Sequence, residues 1–231
     1  PFEETAKLSA ADREAAWRRG AKLLLKTLEE KKFQRLVSSP SDNLVISRRL
    51  GDGDQAIFLI NDSRTAGDYV GRFGKVLEAG VPQRAEVKFS PELTAPGRVL
   101  YDVAARRKVV LEKGGAAFFL PPGGGRLLYL ASAELTGLKA KIAPMVRRGE
   151  KIRLRAELLA AGPVKGTQAL EVELRDSAGR RHVSSGYYCL TNGVFELEIP
   201  VARNDRAGYW TVICTDLIAG HRAEAAFQVM P

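Results

Sequence analysis

The sequence predicts a mainly β protein, with an N-terminal α-helix followed by two antiparallel β-sandwich domains, the second immunoglobulin-like. Two observations carry this reading. Apolar residues recur at helical spacing only before residue 36, and beyond it they alternate with polar ones in short runs to the C-terminus. Turn signals rich in Gly, Pro, Asn and Asp break those runs roughly every 8–12 residues, as sandwich strands require. The chain divides into a helix and linker over 1–40, a sandwich over 41–135 and an immunoglobulin-like sandwich over 136–231. Both sandwiches are near the usual ~100 residues, enough to bury a core.

Ser9 followed by Asp12 is a capping signal, and the periodic pattern after it predicts a helix over 10–32. Trp17, Ala21, Leu24, Leu25 and Leu28 form its apolar face, while Arg13, Arg18, Arg19, Lys22, Lys26 and Lys31 lie mostly on the other side. Such a face docks on the following sandwich or on a domain outside this chain. A membrane-surface helix is the alternative, because the polar side is basic.

After a linker at Ser38-Ser39-Pro40-Ser41-Asp42, strands are expected over 44–50 and 55–60, joined by the tight turn Gly51-Asp52-Gly53-Asp54. A calcium loop would need further acidic ligands that the sequence does not supply there. Residues 61–82 read as a long connection rather than a strand. Strands resume over 85–89, 98–103, 108–111, 116–120 and 126–130. The glycines at 123–125 turn the chain and form no phosphate loop, because no Lys-Ser or Lys-Thr and no helix follow.

Seven further strands fall over 138–142, 151–159, 169–175, 182–189, 194–201, 209–215 and 223–229, with turn chemistry at 176–179, 191–193 and 204–208. Alternation places Phe195, Leu197 and Ile199 inward and Glu196 and Glu198 in water. The expected core is Phe58, Ile60, Leu128 and Leu130 in the first sandwich, and Leu154, Val172, Phe195, Leu197, Trp210 and Val212 in the second.

Composition excludes several classes. No run of 18 apolar residues exists, so no membrane-spanning helix is expected. The acidic opening Pro1-Phe2-Glu3-Glu4 predicts no signal peptide, and a start on Pro predicts a piece of a longer chain. The net charge of +9 is spread evenly, with 9 basic and 6 acidic residues over 1–40, 13 and 11 over 41–135, and 14 and 10 over 136–231. Without a base-reading helix, an RNA-binding aromatic motif or a zinc finger, that spread argues against a nucleic-acid partner. Two cysteines, Cys189 and Cys214, are too few for a disulfide scaffold or a structural zinc site and read as buried free thiols, with a disulfide between them as the alternative.

No catalytic residue, cofactor site or metal site is expected. The two histidines, His182 and His221, have no nucleophile paired with them by position, and no nucleophile elbow occurs. The densest polar segment runs from Asn61 to Arg72. Within it Asn61, Asp62, Arg64, Asp68, Tyr69 and Arg72 are the candidate ligand contacts, able to hydrogen-bond or stack on a sugar. The plain alternative is an internally bonded loop that docks on a neighbouring domain.

Ala56-Ile-Phe-Leu-Ile-Asn-Asp-Ser-Arg64 and Gly125-Arg-Leu-Leu-Tyr-Leu130 resemble the C-terminal β-sandwich of multidomain glycoside hydrolases, in particular family 42 β-galactosidase-like proteins. The segments Arg147-Arg-Gly-Glu150, Asn204-Asp205 and Gly208-Tyr-Trp-Thr211 are similar to the immunoglobulin-like or macroglobulin-type modules appended to such tails. The resemblance covers about residues 42–229. It implies a non-catalytic accessory region of a larger carbohydrate-active protein, placed extracellularly or in the periplasm. Its partners would be an upstream domain of the parent chain and carbohydrate. A cell-surface adhesion or spacer module is the alternative, and an independent hydrolase a third reading.

Overall fold

The computed structural model describes residues 10–32, 35–41, 44–51, 53–65, 69–70, 75–76 and 79–231. The chain forms two compact units, Pro1–Leu36 and Val37–Pro231. The first contains helix α1, Ala10–Glu30, close to the expected range. Lys31 donates its amide to the Thr27 carbonyl, and Lys32 takes a left-handed backbone (φ 56°) that ends the helix. Trp17, Leu23 and Leu24 are exposed, while Leu25 and Leu28 are half-buried. The proposed cap at Ser9 lies outside the described residues. No helix among the described residues is long and apolar enough to cross a membrane.

The second unit is built from antiparallel sheets arranged as sandwiches. Its N-terminal strands are β1 (Val37–Ser38), β2 (Leu44–Leu50), β3 (Gln55–Asn61), β4 (Arg64–Thr65), β5 (Tyr69–Val70), β6 (Lys75–Val76), β7 (Ala79–Gly80), β8 (Gln83–Phe89), β9 (Val99–Asp102), β10 (Arg107–Lys108), β11 (Gly115–Leu120) and β12 (Gly125–Ala131). They form a three-stranded sheet in the order β1-β8-β11 and a five-stranded sheet in the order β10-β9-β12-β3-β2. Ala85, Val87, Phe89, Phe118 and Leu120 of the first sheet and Ile57, Leu59, Leu100, Leu128 and Leu130 of the second are buried.

Two expectations are corrected here. Phe58 and Ile60 are exposed, at 36% and 43%, while Ile57 and Leu59 are buried. The run Ala56–Ile60 is apolar at every position, so nothing in it fixes which side faces in. Pairing fixes it instead, because Ile57 stands opposite Leu128. The connection 61–82 also contains short ladders, with Arg64–Thr65 on Ala79–Gly80 and Tyr69–Val70 on Lys75–Val76. Two-residue strands have no periodicity to read.

The C-terminal strands are β13 (Leu135–Ile142), β14 (Met145–Arg147), β15 (Lys151–Ala160), β16 (Thr167–Arg175), β17 (Gly186–Thr191), β18 (Val194–Pro200), β19 (Gly208–Asp216) and β20 (Arg222–Met230). Their order is β13-β15-β18-β17-β16-β19-β20-β14. The ladder narrows to the single pair Thr191↔Val194 between β17 and β18, at the Asn192-Gly193 turn, where both residues have positive φ. That narrow join leaves β13-β15-β18 as one layer and β17-β16-β19-β20-β14 as the other. After Pro144 the first strand leaves β15, and β14 pairs parallel with β20, Val146 opposite Val229. This short parallel strand was not expected, and it gives the module its immunoglobulin-like edge exchange.

Leu154, Val172, Trp210 and Val212 are buried in this core as expected, and Phe195 and Leu197 pack against it half-buried. Trp210 donates its indole N–H to the Arg206 carbonyl at 2.9 Å and lies 5.8 Å from the Phe227 ring. Truncating a side chain packed this way costs about 3–5 kcal/mol. The outer face of the β15–β18 pair carries Arg153–Glu198, Lys151–Glu198 and Arg155–Glu196 ion pairs, a solvated ladder. Cys214 is buried, but Cys189 is exposed, because its position on β17 faces away from the core.

Candidate functional site

Of the six candidate ligand contacts, the described residues fix the surroundings of Asn61 and the exposure of Asp62. Asn61 is buried and its amide is fully used. Nδ2 donates to the carbonyls of Val81 at 2.7 Å and Pro121 at 3.0 Å, and Oδ1 accepts from the Ser63 amide at 3.0 Å and Gln83 Nε2 at 2.7 Å. It therefore ties both ends of the 61–82 connection to the turn after β11. Asp62 is exposed. Arg64 and Tyr69 lie on short strands, described by backbone only, and Asp68 and Arg72 lie outside the described residues.

A second polar constellation was not legible in the sequence. The β2–β3 turn carries Asp54 to the start of the C-terminal module, where its buried carboxylate accepts from the Tyr129 hydroxyl and, at 3.0 Å, from the Thr167 amide. Gln168 Nε2 donates to the Tyr129 oxygen at 3.1 Å and to the Lys165 carbonyl at 2.7 Å, and its Oε1 accepts from the Gly193 amide at 3.1 Å. Gly166 has φ +80°, and a Cβ there would overlap the Asp54 carboxyl. Glycine is thus required twice, for the backbone and for the approach.

Tyr129 and Tyr101 stand opposite each other on β12 and β9, and both belong to the core of the C-terminal module. The five-stranded sheet is therefore buried on both faces at this end, with Leu128 and Leu130 inward and Tyr101, Tyr129 and Ala131 against the next module. Tyr101 Oη accepts from the Leu135 amide at 2.8 Å. Burial pushes both phenols above their ordinary pKa, and for Tyr129 the Asp54 carboxylate adds to the rise. The seam is a bonded, buried network that joins the five-stranded sheet to the C-terminal strands within the single compact unit Val37–Pro231.

The histidines are also engaged structurally. His182 Nδ1 accepts from the Ser184 amide at 3.2 Å while its ring lies 5.1 Å from Trp210, and a His221 ring nitrogen stands 3.2 Å from the Leu135 carbonyl. Among the described residues, no cluster of three or more His, Cys, Asp or Glu is placed to hold a metal.

No family model matches the chain, and no curated protein matches it. Among solved structures, a β-glucosidase from Listeria innocua in complex with glucose is similar over 41% of this chain and 16% of its own, at 13% identity and a TM-score of 0.31. A superoxide reductase (neelaredoxin) from Ignicoccus hospitalis is similar over 42% of this chain and 82% of its own, at 10% identity and a TM-score of 0.31. A CARDB domain from Pyrococcus furiosus, in complex with di-metal ions, covers 41% of this chain and 86% of its own, at 13% identity and a TM-score of 0.28. The chain thus spans a small part of the glucosidase. Likeness at this level assigns neither family nor activity.

Proposed function

We propose that this chain is a non-catalytic accessory and stabilising region of a larger carbohydrate-active protein, of the family 42 β-galactosidase-like kind, working outside the cell or in the periplasm. The observation that carries the accessory role is the Asp54–Tyr129–Gln168 seam. A buried, satisfied polar network with glycine at its closest approach holds two sandwiches in one orientation, which is what a rigid scaffold for a neighbouring domain needs. The carbohydrate assignment comes from the sequence resemblance over residues 42–229.

The same rigidity favours a second reading, a surface spacer that holds a distal domain at fixed reach. The test is the full-length parent with and without residues 37–231. The accessory reading expects an upstream carbohydrate-active domain whose thermal inactivation temperature falls on deletion, with its activity on small aryl-glycosides unchanged. An upstream region made only of further sandwich repeats overturns it in favour of the spacer.

A further inference from the structure

A cleft of about 720 Å³ opens on the side of the first sandwich, between β11 of the three-stranded sheet and β9, β10 and β12 of the five-stranded one. Its size lies within the ~300–1,000 Å³ of small-molecule sites. Four of its walls' side chains are cationic, Arg84, Arg107, Lys108 and Arg126, against the two acids Asp102 and Glu112. Two of the cations are already committed, Arg126 to Asp102 at 3.2 Å and Lys108 to Glu134. Arg84 and Arg107 are exposed and have no carboxylate partner among the described residues.

Beside these charges the cleft carries exposed apolar side chains. Phe119 is 64% exposed and stands directly opposite Arg84 across the β8–β11 ladder, and Val110 is 80% exposed. Guanidinium forks match carboxylates in two-point geometry, and a flat ring next to them matches the apolar face of a sugar. One edge along which an added peptide strand could pair is that of β11. The near end of that edge is taken by the chain itself, since Glu112 and Gly115 exchange both backbone hydrogen bonds, at 2.8 and 3.0 Å.

We propose that this cleft binds a carboxylate-bearing oligosaccharide, with Arg84 and Arg107 holding carboxylates and Phe119 stacking a sugar ring. The sugar class rests on the carbohydrate reading above, and the charge selectivity rests on the cleft alone. The test is titration of the purified chain with oligogalacturonate, with its methyl-esterified, uncharged twin and with polyglutamate, followed by NMR shifts or calorimetry.

The expected result is binding of the acidic sugar and not of the esterified twin. Arg84→Gln and Arg107→Gln should each lower affinity about tenfold, and Phe119→Ala about threefold or more. All three side chains are exposed, so unfolding midpoints should stay near wild type. Equal binding of the esterified twin, or wild-type affinity in the arginine variants, overturns the proposal. Equal binding of polyglutamate overturns it in favour of an acidic-peptide site. Loss of binding in Tyr69→Ala but not in Arg84→Gln moves the contact to the 61–72 loop and also overturns it. Silence with every probe refutes the cleft as a sugar site and leaves the accessory role standing, because that role is read from the parent's thermal inactivation.

Discussion

Tyr129 and Asp54, 75 residues apart in sequence, meet as hydroxyl donor and carboxylate acceptor in a buried seam between two sandwiches. Each also bonds the third element of the seam, Asp54 to the Thr167 amide and Tyr129 to Gln168. A carboxyl group can be buried at low cost only when donors satisfy its oxygens, as the Tyr129 hydroxyl and the Thr167 amide do here. Deleting one donor therefore costs more than the bond itself.

Tyr129→Phe should destabilise the Val37–Pro231 unit by about 1–3 kcal/mol, the cost of leaving a buried acceptor short of a donor. Chemical denaturation of the wild type, Tyr129→Phe, Asp54→Ala and the double variant measures it. A coupling energy of at least about 0.5 kcal/mol between the two sites is expected. Additive losses would show that the two side chains act independently.

Gly166 and Gly179 separate backbone strain from crowding. Both have left-handed backbones, at φ +80° and +78°, but a Cβ at Gly179 meets nothing within 4 Å while one at Gly166 strikes Asp54. Gly179→Ala should cost about 1–2 kcal/mol, the penalty of a left-handed L-residue. Gly166→Ala should cost at least about 1 kcal/mol more, because the Asp54 carboxyl is pushed off the Thr167 amide. Equal unfolding midpoints for the two variants would remove Gly166 from the seam.

The seam also sets the alkaline limit. Burial raises the pKa of Tyr101 and Tyr129 in the fold, so the folded state favours the neutral phenols. Their contribution is complete below the unfolded tyrosine pKa of about 10 and is lost as pH climbs beyond it. Stability measured against pH should fall above pH ~10, and less steeply in Tyr129→Phe. Phenolate absorbance from these two residues should appear only together with unfolding. Smooth ionisation of every tyrosine in the native protein would contradict their burial.

How much of this was legible in the sequence depends on which side of each strand met water. Lys151–Ala160 alternates charged and apolar residues, and its expected inward set, represented by Leu154, is buried. Ala56–Ile60 offers no polar residue, so phase came from pairing with β12, and the expected burial of Phe58 and Ile60 was inverted. β12 itself has Leu128, Tyr129, Leu130 and Ala131 all buried, because the sheet has a module on each side. The turn at 51–54 was readable as a turn. The use of Asp54 as a tether was not, since its partners lie 75 and 113 residues away. Of the candidate loop, Asn61 proves to be a fastener for the chain's own carbonyls, and the cleft beside Arg84 has no local motif. Its walls come from two sheets.

The two cysteines give a direct check on the faces of the C-terminal module. Cys189 on β17 stands opposite Ala169 and is exposed, whereas Cys214 on β19 stands opposite Val172 and is buried. They point to opposite sides of one sheet, which rules out a disulfide between them without rebuilding the strands. Burial also pushes the Cys214 thiol up to about 11, so little thiolate exists there at neutral pH. A thiol reagent at neutral pH should modify Cys189 alone in the native protein, and both cysteines in denaturant. Cys189→Ser should abolish the native reaction and leave one reactive thiol after unfolding. Prompt labelling of Cys214 in the folded chain would mean that the β19 face assignment, and with it the position of Trp210 in the core, is wrong.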